Sequence, residues 1–165
     1  MPPCKDTIRQ PVGAVRISHL LPDGRVLIAG GDVGITPTAT AEVYTPPPLG
    51  STTDSYVKVG NMTEARNPPL LLTINTGQVL VMGSDTNVDL FAPSANTFSP
   101  TGQMQVARGS YGFSRLNNGT VLVAGGTTGS ANISSAEIYD PVTGAFTLTG
   151  SLNTARNSPF DFAVK

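Results

Sequence analysis

The chain writes one pattern three times, and a pattern repeated at this spacing restricts the fold more than any other feature. The strings Val26-Leu27-Ile28-Ala29-Gly30-Gly31, Val79-Leu80-Val81-Met82-Gly83-Ser84 and Val121-Leu122-Val123-Ala124-Gly125-Gly126 align without a gap. Each is entered through a polar turn ending in glycine, at Gly24, Gly77 and Gly119. Each is followed by a run carrying an aromatic residue: Ala41-Glu42-Val43-Tyr44, Val88-Asp89-Leu90-Phe91 and Ala136-Glu137-Ile138-Tyr139. Each closes on Gly-x-Met/Leu-x-x-Ala-Arg, at 60–66, 102–108 and 150–156. The turn glycines lie 53 and 42 residues apart and the closing arginines 42 and 48 apart. A period of roughly 40 to 50 residues built from short strands signals a propeller or solenoid array.

Within a repeat, four strand-sized runs alternate with turn chemistry. In the third they read Tyr111–Leu116, Thr120–Ala124, Ser135–Tyr139 and Ala145–Thr149. Asn117-Asn118-Gly119 fits a primed hairpin turn, because glycine tolerates positive φ. Asp140 to Gly144 supplies the next turn, where Pro141 cannot continue a ladder. The second repeat reads Pro69–Ile74, Gln78–Met82, Asn87–Phe91 and Thr97–Pro100. The first is looser: it opens over Ala14–Leu21, and Pro46-Pro47-Pro48 starts an insertion before Ser55–Val59. No window keeps a 3.6-residue apolar rhythm, so essentially no helix is expected. Strand two of each repeat is apolar on both faces, as a strand between two packed sheets should be. The fold expected is all-β: about three four-stranded antiparallel blades of a propeller plus one strand of a fourth. The units are an extension at 1–13, blades at 14–66, 67–108 and 109–156, and a further first strand at 157–165.

These marks resemble the kelch repeat, in the variety found in galactose-oxidase-like propellers. The resemblance rests on the glycine pair ending strand two, the aromatic of strand three, a second aromatic seven residues later and the terminal arginine. Tyr139 to Phe146 and Phe91 to Phe98 keep the seven-residue step, whereas Tyr44 to Tyr56 takes twelve. Tryptophan, usual at the second aromatic position, is absent from the chain. Ser84 interrupts the glycine pair of the second repeat. Such propellers generally close with six or seven blades, and an arc of three leaves an apolar sheet face at each end. A piece of a longer protein is favoured over several chains that close a ring together.

Composition excludes several partners. Charged residues make up 13% of the chain and the net charge is −1, which gives no footprint for nucleic acid. The three lysines, Lys5, Lys58 and Lys165, form no basic membrane-binding face, and no apolar run is long enough for a membrane-spanning helix. The Ser-, Thr- and Asn-rich composition leans toward an extracellular setting. Candidate glycosylation triplets begin at Asn61, Asn118 and Asn132.

The resemblance brings in copper radical oxidases, whose site needs two histidines and a tyrosine crosslinked to cysteine. This chain has one histidine, His19, and one cysteine, Cys4. The expectation is therefore no enzyme, no metal and no cofactor, with His19 in a structural role in its strand. Glu42 and Glu137 hold matching repeat positions and read as architecture, not as an acid/base pair. Asp32, Asp85 and Asp89 follow the glycine-ended strands and default to solvated surface.

Arg66, Arg108 and Arg156 recur at the link into the next repeat. In similar propellers such links and the loops between strands two and three form the ligand face, where guanidiniums could grip carboxylates. The alternative packs each arginine between blades against loop carbonyls. Arg66, Arg108, Ser110, Tyr111 and Arg156 are the candidate ligand-face residues, with the loops Asp32–Thr40 and Thr127–Ser134 beside them. The leading expectation is a non-enzymatic propeller segment that binds a protein or carbohydrate partner through its loops. The alternatives are a self-assembling homo-oligomer that completes a propeller or filament, and a fragment of an oxidase-like propeller lacking its copper site.

Overall fold

A computed structural model describes residues 17–157. The extension at 1–13, the start of the first blade, Cys4 and the strand expected at 157–165 lie outside them, save for Asn157. The described residues hold no helix. Three four-stranded antiparallel sheets follow one another along the chain. The first comprises β1 (Ile17–Leu20), β2 (Val26–Ala29), β5 (Ala41–Thr45) and β6 (Ser55–Lys58). The second comprises β7 (Leu70–Thr73), β8 (Val79–Met82), β9 (Asp89–Ala92) and β10 (Thr97–Pro100). The third comprises β11 (Gly112–Arg115), β12 (Val121–Ala124), β15 (Ala136–Asp140) and β16 (Ala145–Thr149).

The loops expected at 32–40 and 127–134 are more ordered than their composition suggests. Each folds into a two-stranded ribbon, β3 (Asp32–Val33) with β4 (Thr36–Pro37) and β13 (Thr127–Thr128) with β14 (Ala131–Asn132). Among the described residues, the shortened loop of the second blade has no such ribbon.

The turn between strands one and two is not the primed two-residue turn. Leu116 N donates to Thr120 O, Gly119 N donates to Leu116 O, and of the loop residues only Gly119 (φ 90°) takes positive φ. This is a three-residue loop closed by a left-handed glycine. Asn118 Oδ1 accepts from Thr120 N and Thr120 Oγ1, which fixes the turn from the side-chain side. The first-blade insertion is absorbed in its turn without a register shift. Tyr44 still opposes Tyr56, with ring centroids 4.9 Å apart, against 4.8 Å for both Phe91–Phe98 and Tyr139–Phe146.

Strand alternation divides the core. In the middle blade Val79, Leu80, Val81 and Met82 are all fully buried. Val79 and Val81 pack with Leu27, Ala29 and Val43 of the first blade, while Leu80 and Met82 pack with Val121 and Val123 of the third. Odd positions of strand two thus face the preceding blade and even positions the following one. In the outer blades the positions that face no described blade are only half-buried: Val26 and Ile28 at one end, Leu122 and Ala124 at the other.

Candidate functional site

The sites of interest lie where one blade meets the next. The closing segment of each repeat is a strap laid onto the following blade. At the first seam Gly60 N donates to Asn96 O, in the turn between strands three and four of the middle blade. Thr63 N and Oγ1 donate to the carboxylate of Asp89, and Arg66 Nη1 donates to Asp89 Oδ2 at 2.6 Å. At the second seam Gly102 N donates to Gly144 O, in the equivalent turn. Gln105 N and Val106 N donate to Glu137, and Arg108 Nη2 donates to Glu137 Oε1 at 2.7 Å. Each guanidinium also donates to a carbonyl two residues before its carboxylate, Asn87 O or Ser135 O.

The second seam uses a Glu where the first uses an Asp. The shorter Asp89 side chain is met by the Thr63 hydroxyl at 2.8 Å, whereas the longer Glu137 reaches two backbone amides unaided. Arg66 is 3% exposed, and Arg108, Asp89 and Glu137 are 0% exposed. Charges so buried persist only when paired. Arg66 and Arg108 are therefore seam residues, not members of an open ring of guanidiniums. Asp89, expected on the solvated surface, is instead buried, because its place in β9 turns it toward the preceding blade. Glu137 holds the architectural role its repeat position implies.

The strand-one side of the arc carries a groove of about 700 Å³. His19, Asn67, Ser84, Asp85, Ser110, Tyr111 and Phe113 line it, with Arg66 in its wall. Ser110 is exposed on the rim with φ of 48°, a left-handed conformation that a serine adopts only under constraint. Tyr111 is buried and donates its hydroxyl to Gly83 O at 2.9 Å, and burial pushes its phenol pKa far above the usual value. His19 Nε2 lies 2.7 Å from Thr73 Oγ1, so the ring contacts β7 of the next blade. Asp85 is the open acid of the groove. Its nearest cation, Arg66 Nη2, stands 3.7 Å away, and its Oδ1, although shielded, has no hydrogen-bond partner among the described residues.

Of the five candidate ligand-face residues, the groove gathers Ser110, Tyr111 and the flank of Arg66. Arg108 lies in the second seam, and Arg156 is exposed at the far end of the arc. Asn61, Asn118 and Asn132 are exposed. Asp85 is the residue that sequence reasoning undervalued. Its signal was the break of the glycine pair at Ser84, which shortens the following loop.

Residues 116–153 match the kelch motif. No curated protein matches the sequence. Among solved structures the fold is similar to that of a novel fungal alcohol oxidase with catalytic diversity among the AA5 family, solved in complex with copper. That match has a TM-score of 0.59 at 17% identity and covers 83% of this chain but 30% of the oxidase chain. Sheets, motif and fold together define the architecture: successive four-stranded blades of a β-propeller, the third of which matches the kelch motif. Copper belongs to the neighbour's structure. Here the donor set does not fit it, because His19 is the chain's one histidine and, among the described residues, no three His, Cys, Asp or Glu side chains converge.

Proposed function

We propose that this segment is a non-enzymatic binding element that presents the strand-one groove to a partner rich in hydrogen-bond donors, either a hydroxylated glycan or a protein surface. The observation that carries this reading is Asp85, whose shielded oxygen has no hydrogen-bond donor among the described residues at the edge of a cavity of about 700 Å³. That oxygen keeps only the long 3.7 Å pair with Arg66, and a ligand hydroxyl or amine placed there would supply the hydrogen bond it lacks. The expected polarity is thereby inverted: the arginines are taken up by the seams, and the groove offers an acceptor. Ser110 on the rim adds a hydroxyl of either sense.

The test is titration calorimetry with a panel of neutral oligosaccharides, run beside a peptide library. Asp85→Asn should weaken whichever probe binds at least about tenfold, the scale of one charge-assisted hydrogen bond. Its melting temperature should fall only slightly, because Arg66 keeps its 2.6 Å pair with Asp89 when the 3.7 Å pair with Asp85 is lost. Unchanged affinity in Asp85→Asn would reject the groove as the binding site. A second reading, supported by the likeness to the alcohol oxidase, makes the chain one sector of an oxidase-like propeller that leaves the copper donors to other residues. Stoichiometric copper binding by this chain alone would count against it, because the donors would then lie within these residues.

A further inference from the structure

The groove carries more negative charge than its own residues neutralise. Asp32 and Asp85 hold the same place in successive repeats, two residues after Gly30 and Gly83. In each, Oδ1 is shielded and has no hydrogen-bond partner among the described residues. Asn67, in the groove wall, donates Nδ2 to Asp32 Oδ2 and holds that acid behind the wall. Asp85 stands in the wall itself, its side chain 40% exposed. The third repeat has Thr127 at this place, bridged to Gly109. Among the described residues that line the groove, Arg66 is the one lysine or arginine. Its charge is matched by Asp89 at 2.6 Å and its Nη2 donates to Asn87 O at 2.6 Å, which leaves Asp85 a separation of 3.7 Å. The carboxylate of Asp85 is thus surplus negative charge, open to the groove.

Around this acid the wall is apolar, built from Pro68, Leu70, Leu71, Tyr111 and Phe113. The rings of Tyr111 and Phe113 meet edge to face, with centroids 6.4 Å apart. With the groove as the binding site proposed above, on which this rests, we infer that it takes a lysine or arginine side chain from an extended peptide segment of a partner protein. The methylene stem lies along the apolar wall and the cationic head meets Asp85. A neutral sugar hydroxyl would give Oδ1 a hydrogen bond but leave the surplus charge, whereas a cationic head supplies both. A volume of about 700 Å³ exceeds what one side chain fills, so neighbouring residues of the peptide enter as well. Ser84 and Ser110, exposed on the rim, offer hydroxyls to the peptide backbone.

NMR titration of the isotope-labelled 165-residue chain tests this with acetyl-Gly-Gly-X-Gly-Gly-amide peptides, X being lysine, arginine, Nε-acetyl-lysine or glutamate. The lysine and arginine peptides should shift the amide signals of Ser84, Asp85 and Ser110. They should bind at least about tenfold tighter than the acetyl-lysine peptide, the scale of one charge-assisted hydrogen bond. Asp85→Asn should abolish that preference, while Asp85→Glu, which keeps the charge, should retain it. Added salt should weaken the two basic peptides and not the acetyl-lysine one. Equal binding of the lysine, acetyl-lysine and glutamate peptides would overturn the inference, as would a preference that survives in Asp85→Asn. Neutral oligosaccharides that shift the same amides where the lysine peptide does not would also overturn it, yet leave the groove standing as a binding site. If neither peptides nor oligosaccharides move these amides, the inference and the groove reading fail together.

Discussion

Glu137→Gln is the sharpest probe of the second seam. The carboxylate accepts from Arg108 Nη2, Gln105 N and Val106 N, and neither charged side chain has any exposed surface. A glutamine amide keeps one acceptor oxygen and turns a donor toward one of these three groups. At least one buried N–H then loses its partner, and the Arg108 charge loses its counter-ion. Removal of one member of a buried pair costs roughly 3–5 kcal/mol. Against a total stability of roughly 5–15 kcal/mol that is a large fraction. With a urea m-value of about 2–3 kcal/mol/M, the midpoint should fall by roughly 1–2 M. Arg108→Met should cost less, because Glu137 keeps both backbone amides. The double variant Arg108→Met/Glu137→Leu should be more stable than Glu137→Gln alone, since no charge is then left buried. Urea unfolding of all the variants, followed by circular dichroism, gives the coupling. The reasoning fails if Glu137→Gln shifts stability by less than about 1 kcal/mol, or if Arg108→Met and Glu137→Leu simply add.

Other outcomes follow from the same seams. Gly102→Ala should destabilise by roughly 1–3 kcal/mol, because its methyl would meet the backbone oxygen of Gly144; Gly150→Ala, with no described residue within 4 Å, should cost far less, and thermal melts compare the two. Burial raises the phenol pKa of both Tyr111 and Tyr139, so the native state holds protons that the unfolded chain releases above its ordinary value of 10.0. That stability is present below pH 10 and lost as pH rises beyond it. Unfolding midpoints measured from pH 8 to 11 should fall more steeply in the parent than in Tyr111→Phe/Tyr139→Phe. Arg25 donates to Pro93 O at 2.6 Å and to Asn96 Oδ1 at 3.0 Å, which ties the first hairpin turn to the middle blade. Arg25→Ala should cost about 1 kcal/mol in urea unfolding.

The blades were legible because each strand carries its own local signal. Val121–Ala124 and Val79–Met82 are apolar on both faces, and glycines stand where the chain turns sharply. Strand pairing follows from such local signals. The seams were half legible. Recurrence marked Arg66 and Arg108 as important, but nothing local tells whether a guanidinium points to solvent or into the next blade. That depends on the carboxylates at Asp89 and Glu137, 23 and 29 residues onward. The two carboxylates also differ in length, which hides their equivalence. The groove was legible only in part. Ser110 and Tyr111 stood out beside Arg108, whereas Asp85 gains meaning from Arg66 being engaged elsewhere.

The seam chemistry bears on partner choice more than on gross stability. Two apolar sheet faces would pack in many offsets, since leucine and valine contacts have no fixed direction. A buried ion pair contributes little net stability relative to well-packed apolar residues of the same volume, yet one unmatched member costs several kcal/mol. Arg108 meets Glu137 while Gly102 N meets Gly144 O, so the strap is fixed at two points six residues apart. A shift by one residue would break both and strand a charge. Discrimination of this kind rests on the penalty for mispairing. Any surface that accepts Arg156 must therefore offer three things in register: an apolar sheet face, a strand-three carboxylate and a turn carbonyl.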